Sequence, residues 1–277
     1  MVLSRNKGTD RGARWISLLA GLLLAFSLIG GCSPKPPKED VLEKASRAYD
    51  QGLYLEAETF YEEYLQKNPG DSRRWQAWNR LLDIVSVIRG DNEKAHVILE
   101  AMLLEFGSEP DKARAVLIKQ GDLLQSEGHL DQAVESWQKA QRLGPSPEPD
   151  PCLLSLRFSR AYTTEGHYDL AQDSLRECLS EAKEPSCLTR CRYELAQTYG
   201  LQENWPQEAE LLEQVIASAT ISKEDKSSAI YLLADAYANS GQVERAKKLL
   251  QSILATYPNP KAVQTKLDQL NHTPGKK

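Results

Sequence analysis

GDLLQSEGHLDQAVESWQKAQRLGP, residues 121–145, carries the pattern on which the reading of the whole chain turns. Gly128 interrupts two helix-forming stretches. Ala133 follows it by five residues, and Trp137 and Ala140 follow that alanine by four and seven. Pro145 stands twelve residues after Ala133. The same spacing recurs along the chain: Ala57, Ala95, Ala133, Ala171 and Ala209 are 38 residues apart, and Ala246 follows at 37. Five residues before each stands Gly52, Gly90, Gly128, Gly166, Asn204 or Gly241. Four residues after each come Tyr61, Leu99, Trp137, Leu175, Glu213 and Leu250, and seven after come Tyr64, Met102, Ala140, Cys178, Ile216 and Ile253.

A fixed period of this length is the mark of a repeat architecture. Each unit reads as helix, turn, helix. The glycine supplies a left-handed residue at the end of the first helix, and Asn204 is the one other residue type that tolerates that conformation. The alanine marks a close helix crossing. The residues four and seven later share its face and bury with it. Pro69, Pro145 and Pro258 stop three of the second helices. Each pair leaves an apolar face that the next pair must cover, so the array is predicted to be a solenoid. Ser222 with Asp225 predicts a capped helix start. Asn259-Pro260 opens a last short helix ending near Leu270, whose Val263, Leu267 and Leu270 would close the stack. Trp75 and Trp78, at the start of the second unit, are read as buried, with an exposed anchor as the alternative.

These columns resemble the tetratricopeptide repeat (TPR) over about residues 39–257. The best matches are G-x-Y-x-x-A at Gly52, Tyr54 and Ala57 and at Gly166, Tyr168 and Ala171, with the third unit nearly complete at Gly121, Gly128, Ala133, Trp137, Ala140 and Pro145. The fifth unit departs from the pattern, with Glu213 on an expected core position. The period also exceeds the usual ~34 residues, which implies longer helices or loops and a different pitch. The expected fold is all-α: a TPR-like α-solenoid of about six helix–turn–helix repeats plus a C-terminal capping helix. In TPR arrays peptides bind the concave face lined by first helices. The resemblance places Arg80, Asp122, Arg160, Glu194, Tyr231, Asp235 and Asn239 there. Leu42 and Ser46 stand where chaperone-binding TPRs carry a carboxylate-clamping Lys and Asn, so that clamp is absent.

The N-terminus has the three parts of an export signal. Met1 to Arg14 is basic, Trp15 to Leu28 is an uncharged apolar run of 14 residues, and Leu28-Ile29-Gly30-Gly31-Cys32 follows. Such a run is too short to span ~30 Å of hydrocarbon comfortably as a permanent helix. The small residues before Cys32 resemble the lipobox of bacterial lipoproteins, which implies cleavage after residue 31 and lipidation (palmitate and related acyl chains) at Cys32. Residues 32–38 contain Ser33-Pro34-Lys35-Pro36-Pro37-Lys38, an extended tether. Ser33 replaces the Asp that would signal inner-membrane retention, which favours the outer membrane with the chain facing the periplasm. The predicted organisation is 1–31 signal peptide, 32–38 lipidated tether, 39–271 repeat domain and 272–277 tail.

The chain is 41% hydrophobic and 26% charged with a formal net charge of −5. Residues 1–31 hold Arg5, Lys7, Arg11 and Arg14 against Asp10, which leaves −8 for the remainder. An acidic body argues against nucleic acid, whose binding needs a basic stripe. Cys152, Cys178, Cys187 and Cys191 cluster within 40 residues. In an exported chain an even set suggests disulfides. Of three connectivities, Cys178–Cys191 with Cys152–Cys187 is favoured, because those positions fall at neighbouring helix ends. Unpaired buried thiols stay open, as does a four-thiolate metal site using Cys187-x-x-x-Cys191. His129 and His167 occupy equivalent turn positions without a carboxylate or cysteine column beside them. No nucleophile elbow, P-loop, zincin motif or phosphate cradle is present.

The expectation is therefore a non-enzymatic scaffold without a cofactor, anchored through Cys32, that binds a protein partner through its groove. Three alternatives remain: a lipoprotein of the β-barrel assembly machinery type, an accessory protein in envelope polysaccharide handling, and a metal or redox protein using the clustered cysteines.

Overall fold

The computed structural model of the chain describes residues 40–144 and 152–272. The expected export signal, the expected lipidation site Cys32 and its expected tether lie outside the described residues, as do Pro145 and the tail from residue 273. Among those described there are thirteen α-helices and no strand. They are α1 (Val41–Asp50), α2 (Tyr54–Lys67), α3 (Arg74–Leu82), α4 (Asn92–Phe106), α5 (Pro110–Ser126), α6 (Leu130–Arg142) and α7 (Leu153–Thr164). Then come α8 (Tyr168–Glu181), α9 (Pro185–Leu201), α10 (Trp205–Ala217), α11 (Lys223–Asn239), α12 (Val243–Ile253) and α13 (Pro260–His272). A π-helical segment, Asp83–Ile88, follows α3. The chain divides inside it into two compact units, Met1–Ile84 and Val85–Lys277. The division falls between the two helices of the second repeat.

In the first unit, Asp40 caps α1 by accepting the Leu42 amide at 3.1 Å, and the Arg73 guanidinium beside it holds its carboxyl below the usual range. Gly52, at φ +75°, ends the helix. The amide of Leu53 returns to the Ala48 carbonyl and that of Gly52 to Tyr49, the paired bonds of a Schellman cap. Ala45, Ala57 and Ala77 are fully buried, and Tyr61 and Tyr64 fill the space around them. Trp75 and Trp78 are half-buried rather than enclosed.

In the second unit, each helix from α4 to α13 packs on its neighbours in sequence, with α7 also touching α9. The repeat columns are the core. Ala95, Ala133, Ala171 and Ala246 have no exposed surface, and Leu99, Trp137, Leu175 and Leu250 are buried four residues on. Trp137 donates its indole N–H to the Ile118 carbonyl at 3.3 Å and meets Phe158 edge-on at 6.0 Å. Gly121 is what admits that indole: a Cβ there would lie within 2.8 Å of three of its ring atoms. Ser222 caps α11 through the Asp225 amide at 3.0 Å, and Asn259 caps α13 through the Ala262 amide at 3.2 Å. Val263, Leu267 and Leu270 of α13 are buried against the last repeat, as a terminal cap requires.

The fifth repeat corrects the column by one residue. Glu203, not Asn204, is left-handed, with φ +56°. Asn204 is instead the N-cap of α10, the role that His129, His167 and Gln242 play in their units. Its amide bonds to Tyr199, as His129 does to Leu124. Counting from that turn, Glu208 occupies the place of the alanines: its amide bonds to Asn204 just as that of Ala133 bonds to His129. Leu212 and Val215 then take the next two core positions and are buried, while Glu213 is exposed.

Candidate partner-binding face and the cysteine cluster

Of the six residues assigned to this face in the second unit, five are held in pairs. Asp122 of α5 accepts a two-pronged contact from Arg157 of α7, with Nη2 to Oδ2 at 2.5 Å and Nε to Oδ1. Arg160, three residues further along α7, donates to Glu194 of α9 at 2.6 and 3.0 Å. Asp235 of α11 pairs with Lys266 of α13. Tyr231 stacks on Tyr257, ring centroids 5.1 Å apart. Asn239 closes α11 and is exposed. In the first unit, Arg80 lies over the Tyr49 ring at 4.6 Å.

Arg157 and Lys266 escaped the sequence reading, although each lies about one repeat from an acid of opposite charge. Neighbouring first helices are thus stitched by charge. Arg160 remains largely exposed despite its partner, whereas the Arg157 side chain is only 18% exposed. Between α9 and α11 no such pair is found among the described contacts. There α10 brings in Glu208, 4% exposed, against Gly200, where an added Cβ would lie 2.7 and 3.0 Å from the two carboxylate oxygens. Its Oε2 has no hydrogen-bond partner among the described residues. Burial, with Asp235 adding like charge, pushes the Glu208 carboxyl up to about 7. On the outer side of the same repeat, Glu213 accepts from the Tyr237 hydroxyl and from Arg245 at 3.2 Å. Burial and that carboxylate push the Tyr237 phenol up to about 12.

Apart from this face, a concavity lies among α4, the end of α5 and α6. It is a cleft of about 680 Å³ lined by Glu93, His96, Glu100, Glu127, His129 and Glu135, among others. His96 Nε2 and Glu127 Oε2 are 2.9 Å apart. His129 borders this cleft and His167 does not.

The cysteines meet where α7 begins, α8 ends and α9 begins. Cys152 bonds to Cys187 and Cys178 to Cys191, with Cα separations of 5.9 and 6.4 Å. This is the favoured connectivity. All four are enclosed with Leu156, Leu175 and Leu195.

No helix among the described residues is long and apolar enough to cross a membrane. Comparison with known proteins agrees with the repeat reading. Residues 202–270 match the family model described as tetratricopeptide repeat. No curated protein matches the sequence. Among solved structures, a tetratricopeptide repeat protein from Parabacteroides merdae aligns at TM-score 0.60 and 15% identity, over 84% of this chain and 86% of that one. PilW, described as a widely conserved type IV pilus biogenesis factor, aligns at 0.60 and 18% over 82% and 96%. YrrB, described as a TPR protein with an unusual peptide-binding site, aligns at 0.55 and 15% over 75% and 97%. Residues 202–270 thus match the tetratricopeptide repeat model, and the described helices share the fold of solved tetratricopeptide repeat structures.

Proposed function

We propose that this chain is a non-catalytic scaffold that holds a protein partner on its first-helix face while a lipid on Cys32 anchors it to the outer membrane, facing the periplasm. TPR-fold proteins commonly bind protein partners, and the solved relative YrrB has a peptide-binding site by its description. The observation that carries the reading is the arrangement of Asp122, Arg157, Arg160, Glu194, Asp235 and Lys266 on successive first helices. Together with Tyr231 and Asn239 they form a polar surface of both signs and no built catalytic group. Such a surface suits a polar segment of another protein, whose charges exchange with the existing pairs.

The test has two arms in cells. Photo-crosslinking residues placed at Arg160 and Asn239 are expected to capture the same partner, and residues at Glu165 and Glu177 are not. Capture only from the latter positions would move the binding surface elsewhere. For the anchor, intact mass of membrane-extracted protein is expected to show a chain beginning at an acylated Cys32, and Cys32→Ser to abolish the acyl mass. A species that begins at Met1 would refute the anchor and leave the scaffold to the crosslinking arm.

A further inference from the structure

We infer that the four cysteines at the α7–α8–α9 junction form, once reduced, a tetrathiolate site for one divalent zinc ion. The inference is independent of the scaffold reading. Four ligand sulfurs lie within 4.8 Å of one another, and all four residues are buried. A tetrahedral zinc site with Zn–S bonds of ~2.3 Å has sulfur–sulfur edges of ~3.8 Å. Cys178 and Cys187, which are not bonded to each other, already place their sulfurs 3.9 Å apart. Reduction frees the two bonded pairs to spread to the same edge, and Cα separations of 5.9 and 6.4 Å leave the side chains room to do so.

The surroundings suit a metal dianion. A zinc ion with four thiolates carries two net negative charges into a site otherwise walled by leucines, so the protein must offset them. The Arg190 guanidinium donates to the Cys152 sulfur at 3.1 Å. Cys152 is the N-cap of α7, and Cys187 is the third residue of α9. Two helix N-termini thus direct their partial positive charge at the cluster, which favours thiolates. Thiolate ligands in a tetrahedral S₄ set select zinc or iron over calcium and magnesium.

The chemistry balances in two steps. Each disulfide takes two electrons from a reductant and two protons, giving two thiols; with a tertiary phosphine, water supplies the oxygen of the phosphine oxide. The four thiols then bind Zn²⁺ and release four protons. A dithiol reductant in a cell would do the first step and become a disulfide itself. The compartment's redox poise therefore decides between two bridges and one ion, and both states tie the same three helices together.

The test uses the full chain, reduced with a phosphine, freed of it without oxygen, and titrated with Co²⁺ and then Zn²⁺ chloride. Expected are one Co²⁺ per chain, the intense visible bands of tetrahedral tetrathiolate cobalt, displacement by Zn²⁺, and protection of Cys152, Cys178, Cys187 and Cys191 from alkylation. Cys187→Ser is expected to weaken binding at least about 100-fold and to shift the bands. Arg190→Gln, which keeps every ligand, is expected to weaken it by about 10-fold or more, the range seen for groups that support ligands. If the reduced chain loses its helical circular dichroism, Zn²⁺ is expected to restore it. Absence of cobalt uptake by the reduced chain, a spectrum of mixed sulfur and oxygen ligation, failure of Zn²⁺ to restore lost helix, or undiminished binding by Cys187→Ser would each overturn the site.

Discussion

Glu208→Gln isolates the most unusual feature of the repeat stack. At the place where the other complete units of the second domain-sized unit carry a fully buried alanine, α10 carries a carboxyl with one oxygen unpartnered. Its ordinary value of 4.5 rises to about 7 in the fold. A carboxyl whose folded value is raised binds its proton more tightly when folded, so stability is greatest below the unfolded value and falls as pH rises towards the folded one. At about 1.4 kcal/mol per pH unit, that span corresponds to a loss of at most about 3 kcal/mol, complete above about pH 7. Glutamine keeps the volume beside Gly200 and removes the charge. The variant is therefore expected to match the wild type near pH 4 and to exceed it by up to about 3 kcal/mol near pH 8. Urea unfolding followed by far-UV circular dichroism across that range reads the difference directly. Parallel stability curves for the two proteins across this range would refute the reasoning.

Three further outcomes follow from the packing. Gly121→Ala, which helix propensity alone would make favourable by about 1 kcal/mol, is expected to destabilise by about 1–3 kcal/mol because the new methyl meets the Trp137 indole; thermal unfolding decides the sign. Arg157→Ala is expected to cost about 1–2 kcal/mol, more than the ~0.2–1 kcal/mol for Arg160→Ala, since a half-buried two-pronged pair outweighs an exposed one; matched urea titrations of the two variants test the order. A non-reducing peptide map of the oxidised chain should link Cys178 to Cys191 and Cys152 to Cys187, each bridge contributing about 2–4 kcal/mol, and a Cys178–Cys187 peptide would refute that connectivity.

Most of the fold was legible because its determinants are local and repeated. A left-handed glycine, an alanine five residues later and large apolar residues at fixed offsets need no knowledge of the rest of the chain. The same holds for the Ser222 and Asn259 caps and for the closing helix. What escaped is instructive. In the fifth repeat Asn204 stands where a glycine was expected, and Ala209 keeps the 38-residue spacing, so two compatible residues hid a slip of one position. The signal against them was Glu213 on the core column with Leu212 and Val215 beside it. A glutamate at the crossing is sterically tolerable only because Gly200 removes a side chain opposite, and that pairing is tertiary. The cleft bordered by His96, Glu100 and Glu127 was likewise invisible, because each residue reads as an ordinary solvated position. Nor does periodicity in the sequence reveal that the chain divides between Ile84 and Val85.

The candidate binding face was legible as a list of residues but not as an electrostatic object. Read singly, Asp122, Arg160, Glu194 and Asp235 suggest a surface offering free charges of both signs. In the fold each is engaged by the first helix of an adjoining repeat or, for Asp235, by the capping helix, so the surface presents ion pairs. The distinction alters what recognition must achieve. A partner that brings its own charges gains only the difference between the contacts it makes and those it displaces, and exposed pairs such as Arg160–Glu194 are cheap to open, at ~0.2–1 kcal/mol. The Arg157–Asp122 pair, half-buried and two-pronged, resists exchange and holds α5 to α7. On the proposed scaffold reading, adaptable recognition would fall to the exposed Arg160 and Asn239, while the Arg157–Asp122 pair fixes the spacing of the helices that display them.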